Sequence, residues 1–271
     1  LLDQVNSIDF NISWGDRCEE YLRKLPGQVN PEFWEYDGVK ELLQGDLAKG
    51  AFVSRSWTGI TKKDGTSWIV DIHWIAKPSL RVVKEVQVHP RLYEVVKTEF
   101  ANLASGGFLT ASTSAIACRM VVAPKKTEPF IRLCVNYRPV NGFLGHIPVI
   151  IPCVKQLLER VKGKKFYFNG DLTNGFHQIP IDLVSSERLS VVTPFGCFRP
   201  CFLPEGIKVA TTILYKVMQE IFQPLEDCSI VLYDNILVFA DTMEELKANI
   251  KRVFVICKTH NLVLKIGKTT F

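Results

Sequence analysis

Residues 229–241 read SIVLYDNILVFAD. Two apolar runs, Ile230 to Tyr233 and Ile236 to Ala240, flank the polar pair Asp234-Asn235. Short runs of β-branched and aromatic residues around a tight polar pair predict a β-hairpin with that pair at its turn. Asp and Asn suit a turn on backbone grounds alone, because their side chains bond the neighbouring main chain. The same placement lifts a carboxylate to the tip of a hairpin. Its chemical meaning depends on whether a second acid lies within reach.

Upstream, residues 165–172 read KFYFNGDL, a strand ending at Asp171 before the turn TNGF. A strand-end aspartate and a hairpin aspartate meet if their strands are neighbours in one sheet. Paired carboxylates on adjacent strands suit two-metal phosphoryl transfer. Two hard cations ~3.5–4 Å apart then stabilise the attacking and leaving oxygens of an in-line displacement. Taken alone, the pairing fits two ordinary strand ends better, since many folds place Asp at strand ends.

The remaining pattern fills in a fold. HPRLYEVVKTEFANLASGGF has apolar residues at Leu92, Val95, Val96, Phe100 and Leu103, a helical spacing that Gly106-Gly107 ends. ACRMVVAP and FIRLCVNY are strand-like and joined by KKTEP, predicting a hairpin with a basic tip. IPCVKQLLERVKGKK predicts a helix with apolar positions Val154, Leu157, Leu158 and Val161. EGIKVATTILYKVMQEIFQPL predicts another, stopped by Pro224, and a last helix runs from about Met243 to His260. Near the N-terminus, DGVKELLQGDL reads as a short helix ended by Gly45, and TKKDGTSWIVDIHWIA as a turn at Asp64-Gly65 leading into a strand. Strands and helices alternate with antiparallel hairpins, which predicts an α+β fold with an antiparallel sheet backed by helices.

Composition bounds the function. A chain of 271 residues with 47% hydrophobic and 23% charged residues is globular, not disordered or fibrous. Net charge is only +5, but it clusters: Lys155, Arg160, Lys162, Lys164 and Lys165 oppose Glu159, and Lys125, Lys126, Arg132 and Arg138 oppose Glu128. Such clusters serve as solvated faces or as polyphosphate sites. The eight cysteines form no CxxC pair and no zinc-finger spacing, which predicts reduced thiols in an intracellular protein, cytoplasmic or nuclear. No apolar run approaches the ~18 residues of a membrane span, so no membrane partner is expected.

Five segments then occur in order: PKKTEPFIRLCVNYRPVN, FNGDLTNGFHQIPI, FLPEG, LYDNILVFAD and NLVLKIGKTTF. Together they resemble the reverse transcriptases of long-terminal-repeat retroelements, gypsy-like and retroviral, over roughly residues 90–271. The resemblance implies the palm and fingers of a right-hand polymerase, with the thumb absent and residues 1–89 an N-terminal extension. It implies a templated DNA polymerase, taking an RNA or DNA template-primer and dNTPs and using two Mg²⁺ ions, with Mn²⁺ as a substitute. It also implies a larger polyprotein that continues into thumb and RNase H regions.

Residue by residue, the resemblance makes Lys125 or Lys126 and Arg132 the grip on the triphosphate. Asp171 and Asp234 become the metal carboxylates, with the backbone carbonyl of Leu172 as a further ligand. Phe176 falls where the family excludes a 2′-hydroxyl by bulk, and Gly206 where backbone approaches the nucleotide. Lys268 stands where a lysine is proposed to protonate the departing pyrophosphate. The chain departs from the pattern at Glu205, at the expected proline near Thr211, and at the hairpin, where Asn235 replaces the second acid of Tyr-x-Asp-Asp. Asn235 leaves two functions open: an active polymerase with a weakened metal site, or a decayed relic that binds nucleic acid without catalysis.

Overall fold

The computed structural model describes residues 13–53, 58–79, 86–126, 130–150 and 152–271. Among them run strands β1 (Leu109–Ala111), β2 (Cys118–Pro124), β3 (Ile131–Asn136), β4 (Phe166–Asp171), β5 (Val191–Thr193), β6 (Gly196–Pro200), β7 (Ser229–Leu232) and β8 (Asn235–Ala240). The helices are α1 (Trp14–Lys24), α2 (Val39–Gln44), α3 (Asp46–Phe52), α4 (Tyr93–Ser105), α5 (Arg138–Asn141), α6 (Val154–Val161), α7 (Leu183–Arg188), α8 (Ala210–Phe222) and α9 (Met243–Thr259). The chain divides into two units, one of residues 68–147 and 176–211, the other of residues 12–67, 148–175 and 212–271.

The first unit is built on a five-stranded sheet of order β1-β6-β5-β2-β3. β2 and β3 form the expected hairpin, pairing from Arg119↔Asn136 to Pro124↔Ile131. Thr127, Glu128 and Pro129 of its predicted tip lie outside the described residues. Only the β2–β5 pair is parallel, so the sheet is mixed rather than purely antiparallel. Helix α4 turns Val96, Phe100 and Leu103 inward, and Phe100 meets Phe198 of β6 edge-on at 4.6 Å. Each such fully buried side chain stabilises by roughly 1.5–3 kcal/mol. Asp182 caps α7 by accepting from Ser185 N–H. Tyr137 is buried with its hydroxyl donating to Leu189 O at 3.1 Å.

Two expectations fail along the chain. The turn at Asp64-Gly65 forms, with Gly65 at φ +82°, but the segment after it is not a strand; residues 68–75 make only the isolated bridges Val70↔Ile181 and Trp74↔Leu144. Among the described residues, its alternating pattern has no continuous strand to pair with. Helix α8 starts at Ala210, not near Glu205. Gly206 at φ +91° breaks helical geometry, and Asn141 fixes the turn by donating to Gly206 O and accepting from Lys208 N–H.

The second unit is built on the antiparallel sheet β4-β8-β7. Phe168 of β4 is fully buried and meets Phe254 of α9 edge-on at 6.3 Å. Leu246, Ile250, Val253, Phe254 and Cys257 make α9's buried stripe, the helical period at work. Phe52 of α3 packs edge-on against Phe254 at 5.7 Å, so the N-terminal helices share this core. Gly45 ends α2, as its sequence predicts. Residues 264–270 bridge the free side of β4 at Leu172↔Leu264 and Asn169↔Thr270. At the other edge, outward carbonyls of β7 are capped: Arg160 donates to Ser229 O at 3.1 Å and Gln219 to Val231 O at 2.7 Å.

The decisive hairpin forms, with one correction. Leu232 pairs with Asn235, so the two turn residues are Tyr233 and Asp234, not Asp234 and Asn235. Asn235 begins β8 because pairing with β4, through Asp171↔Asn235, holds it in the ladder. Tyr233 absorbs the tight turn at φ +57°, a conformation that costs a non-glycine residue on the order of 1–3 kcal/mol.

Candidate active site

Register places the site. Leu172 N–H donates to Asp234 O at 3.0 Å, making 172 and 234 a hydrogen-bonded pair of the ladder. Asp171 and Asn235 are therefore the adjoining non-hydrogen-bonded pair, whose side chains stand closer across the strands. Asp171 is 7% exposed, Asp234 half-buried and Asn235 exposed. Gly175 makes room: a Cβ there would lie 3.3 Å from Asp234 Cβ.

Asp171 meets a cation as well as an acid. The short helical turn Ile266–Lys268 follows Lys265, whose N–H donates to Asp171 O at 2.8 Å. That anchor brings Lys268 Nζ to 3.6 Å from Asp171 Oδ2. Among the described residues, nothing donates a hydrogen bond to the buried Asp171 Oδ1. Burial pushes the Asp171 carboxyl above its ordinary range; Lys268 opposes the shift, Asp234's charge adds to it, and Lys265 opposes it again. Asp234 thus stands close enough for its charge to bear on Asp171. Asn235 Nδ2 donates to Asp234 Oδ1 at 3.3 Å, so the amide supplies a donor where a second carboxylate would add charge.

Among the described residues, no three His, Cys, Asp or Glu side chains group to hold a metal ion. Two carboxylates with one buried, unbonded oxygen suit a hard cation whose remaining ligands are phosphate oxygens and water. The donor set fits Mg²⁺ or Mn²⁺ with a phosphorylated substrate better than a dedicated protein cage.

Asp171, Leu172, Asp234, Asn235 and Lys268 thus come together in one unit. The remaining candidates belong to the other. Arg132 on β3 is exposed opposite Ala123, and Lys125 N–H donates to Phe130 O at 3.0 Å at the hairpin's end. Burial holds the Lys125 ammonium below its ordinary range, and the charge of Arg132 lowers it further. Lys126 is exposed. Phe176 is half-exposed in the helical turn Gly175–Gln178, and Gly206 is exposed at its positive φ. Sequence reasoning missed Gly175 and Lys265. The glycine of TNGF and the first lysine of KIGK were the available signals, but neither has meaning until the register is known.

Residues 118–271 match the family model described as reverse transcriptase (RNA-dependent DNA polymerase). The chain is 26% identical over 215 residues to a retrovirus-related Pol polyprotein from transposon 412 of Drosophila melanogaster, covering 74% of this chain and 17% of the relative. It is 25% identical over 190 residues to the transposon Tf2-7 polyprotein of Schizosaccharomyces pombe, covering 70% of this chain and 14% of the relative. The chain thus spans about a sixth of the length of these relatives. In fold it is similar to a foamy viral protease-reverse transcriptase in complex with double-stranded DNA: TM-score 0.74, 18% identity, 96% of this chain and 44% of that one. A structure of the foamy viral enzyme with an RNA/DNA hybrid gives TM-score 0.73 at 19% identity, over 96% of this chain and 34% of that one.

Proposed function

From the premise that this chain belongs to the reverse transcriptase (RNA-dependent DNA polymerase) family, we propose that it extends a primer on an RNA or DNA template by two-metal phosphoryl transfer from dNTPs. Residues 90–271 are its fingers and palm, and residues 1–89 an extension. The observation that carries the reading is Asp171 at the end of β4, beside the hairpin acid Asp234 and within 3.6 Å of Lys268.

In the reaction the primer 3′-hydroxyl attacks the α-phosphate and pyrophosphate leaves. Bound divalent cations supply Lewis-acid charge to the reacting phosphate and a nucleophilic 3′-oxygen. Asp171, Asp234 and the carbonyl of Leu172 hold that charge in place. Lys125 or Lys126 and Arg132 bind the triphosphate, the guanidinium by paired hydrogen bonds and the ammonium as a point charge. Phe176 excludes a ribose 2′-hydroxyl by bulk, Gly206 allows backbone to approach the nucleotide, and Lys268 delivers a proton to pyrophosphate. Template and primer are the partners, as the foamy viral complexes with DNA and RNA/DNA hybrid support. The relatives are polyproteins, which supports a larger chain, and we propose that it carries thumb and RNase H regions. All eight cysteines are free thiols, which supports an intracellular setting; among the described residues no helix is long and apolar enough to cross a membrane.

A second reading, a relic that binds nucleic acid without catalysis, is favoured by one contact: the Asn235 amide occupies an oxygen of Asp234 and brings no charge. Primer extension with Mg²⁺ or Mn²⁺ separates the two. Extension by the native chain that Asp171→Ala abolishes supports the polymerase. Asn235→Asp is expected to tighten metal binding roughly 10–100-fold, the usual size of an outer-shell effect. Folded native and Asn235→Asp proteins that both fail to extend, with a thumb supplied, support the relic.

A further inference from the structure

Lys268 faces Asp171 in a way that proton delivery alone does not require. Its ammonium sits 3.6 Å from Oδ2, and its side chain is 52% exposed while that of Asp171 is 10% exposed. A buried carboxylate with an unbonded Oδ1 is thereby balanced by a cation that retains freedom on the solvent side. The tether is short and anchored at both ends: Lys265 N–H holds Asp171 O, and Lys268 N–H and Thr269 N–H both donate to Lys265 O. Isolated burial of the Asp171 charge would be costly, so some cation is required whenever the acid is ionised.

We propose that the Lys268 ammonium is a built-in occupant of the divalent-cation position at Asp171, and that binding of the ion displaces it. The inference rests on the reading of Asp171 as a metal ligand. Coulomb's law decides who yields: a doubly charged ion at a bonding distance of about 2.1 Å attracts a carboxylate oxygen roughly three times as strongly as a single charge at ammonium distance. The ion therefore wins, and the ammonium, repelled by it, swings towards solvent, where a polyphosphate can take it up. Metal loading and the availability of a proton donor become one event. Lys268 also raises the concentration of metal needed to fill the site, because its attraction to Asp171 must first be given up.

The test is Mn²⁺ binding by the whole 271-residue chain, read from the electron paramagnetic resonance of free Mn²⁺, with thermal melts taken with and without the ion. Lys268→Met is expected to bind Mn²⁺ about tenfold more tightly, within the usual range for coupled sites. Its melting temperature should fall without metal and recover with it, a rescue that a merely structural lysine would not show. Equal or weaker Mn²⁺ binding by Lys268→Met overturns the proposal. If that variant does not fold, Lys268→Gln is read by the same criterion. Asp171→Asn separates the two levels. Binding lost in Asp171→Asn but unchanged in Lys268→Met removes only the occupant role, whereas undiminished binding by Asp171→Asn removes Asp171 as a ligand and this proposal with it.

Discussion

The two hairpins that carry the candidate charges are built to opposite specifications. β7–β8 presents an acid and is rigid by construction: Ile230, Val231, Ile236 and Val238 are all buried, the loop is two residues long, and β4 pins its far side. β2–β3 presents cations and faces water: Arg119, Val121 and Arg132 lie on its exposed side, and Phe130 is 59% exposed at φ +61°. A carboxylate that must hold a metal tolerates little displacement, because misplacement by about 1 Å can cost 100-fold. A lysine or arginine that grips a phosphate finds its partner over many side-chain conformations and needs a place more than a pose. Rigidity is spent on the acids.

The units also respond to pH with opposite signs. Asp171 has a raised pKa, so the folded chain holds a proton that the unfolded chain has lost; its contribution to stability falls as pH rises just above the ordinary carboxylate range. His177, in the other unit, is buried with no hydrogen-bond partner for Nδ1 among the described residues, and burial lowers its pKa to about 4. There the unfolded chain binds the extra proton, and stability is lost as pH falls from about 6.5 towards 4.

The sharpest way to break the comparison is Asp171→Asn. Extension should fall on the order of 1,000-fold or more, as loss of a preorganised charge does, while the melting temperature at neutral pH rises rather than falls. A loss of both activity and stability would show that the acid is structural. Next in size is His177→Leu, which should flatten the acid limb. Urea midpoints of the native chain should drop by the equivalent of about 3 kcal/mol between pH 6.5 and 4, with little such drop in the variant. Arg132→Ala should raise the KM for dNTP roughly 10–100-fold, the weight of a charge-assisted hydrogen bond, with a much smaller change in kcat. An equal fall in kcat would make the cationic hairpin as exacting as the acidic one. Smallest is Tyr233→Gly, expected to stabilise by about 1 kcal/mol through relief of the positive φ, less the entropy glycine adds to the unfolded chain. Chemical denaturation reads it directly.

The sequence made the elements legible but not their pairing. Alternation and turn residues located β4, the β7–β8 hairpin, α6 and α9 within a residue or two, since each pattern is local. The turn moved by one position because β4, distant in sequence, chose which residue of Asp234-Asn235 joins the ladder. A register is a tertiary fact, and a one-residue shift changes which side chain faces Asp171. For the same reason Gly175 and Lys265 were invisible: one matters through Asp234 Cβ, the other through Asp171 O. The strand expected after Asp64-Gly65 shows the converse, a strong local pattern with no continuous partner.

The capped rim of β7 has a consequence beyond the site. A sheet margin with unclaimed carbonyls is a template on which a like segment can settle, and successive additions make a fibre. Arg160 and Gln219 claim Ser229 O and Val231 O in advance. Sideways growth from that margin would first have to evict both side chains, so the strand that helps carry Asp234 is protected from recruiting copies of itself.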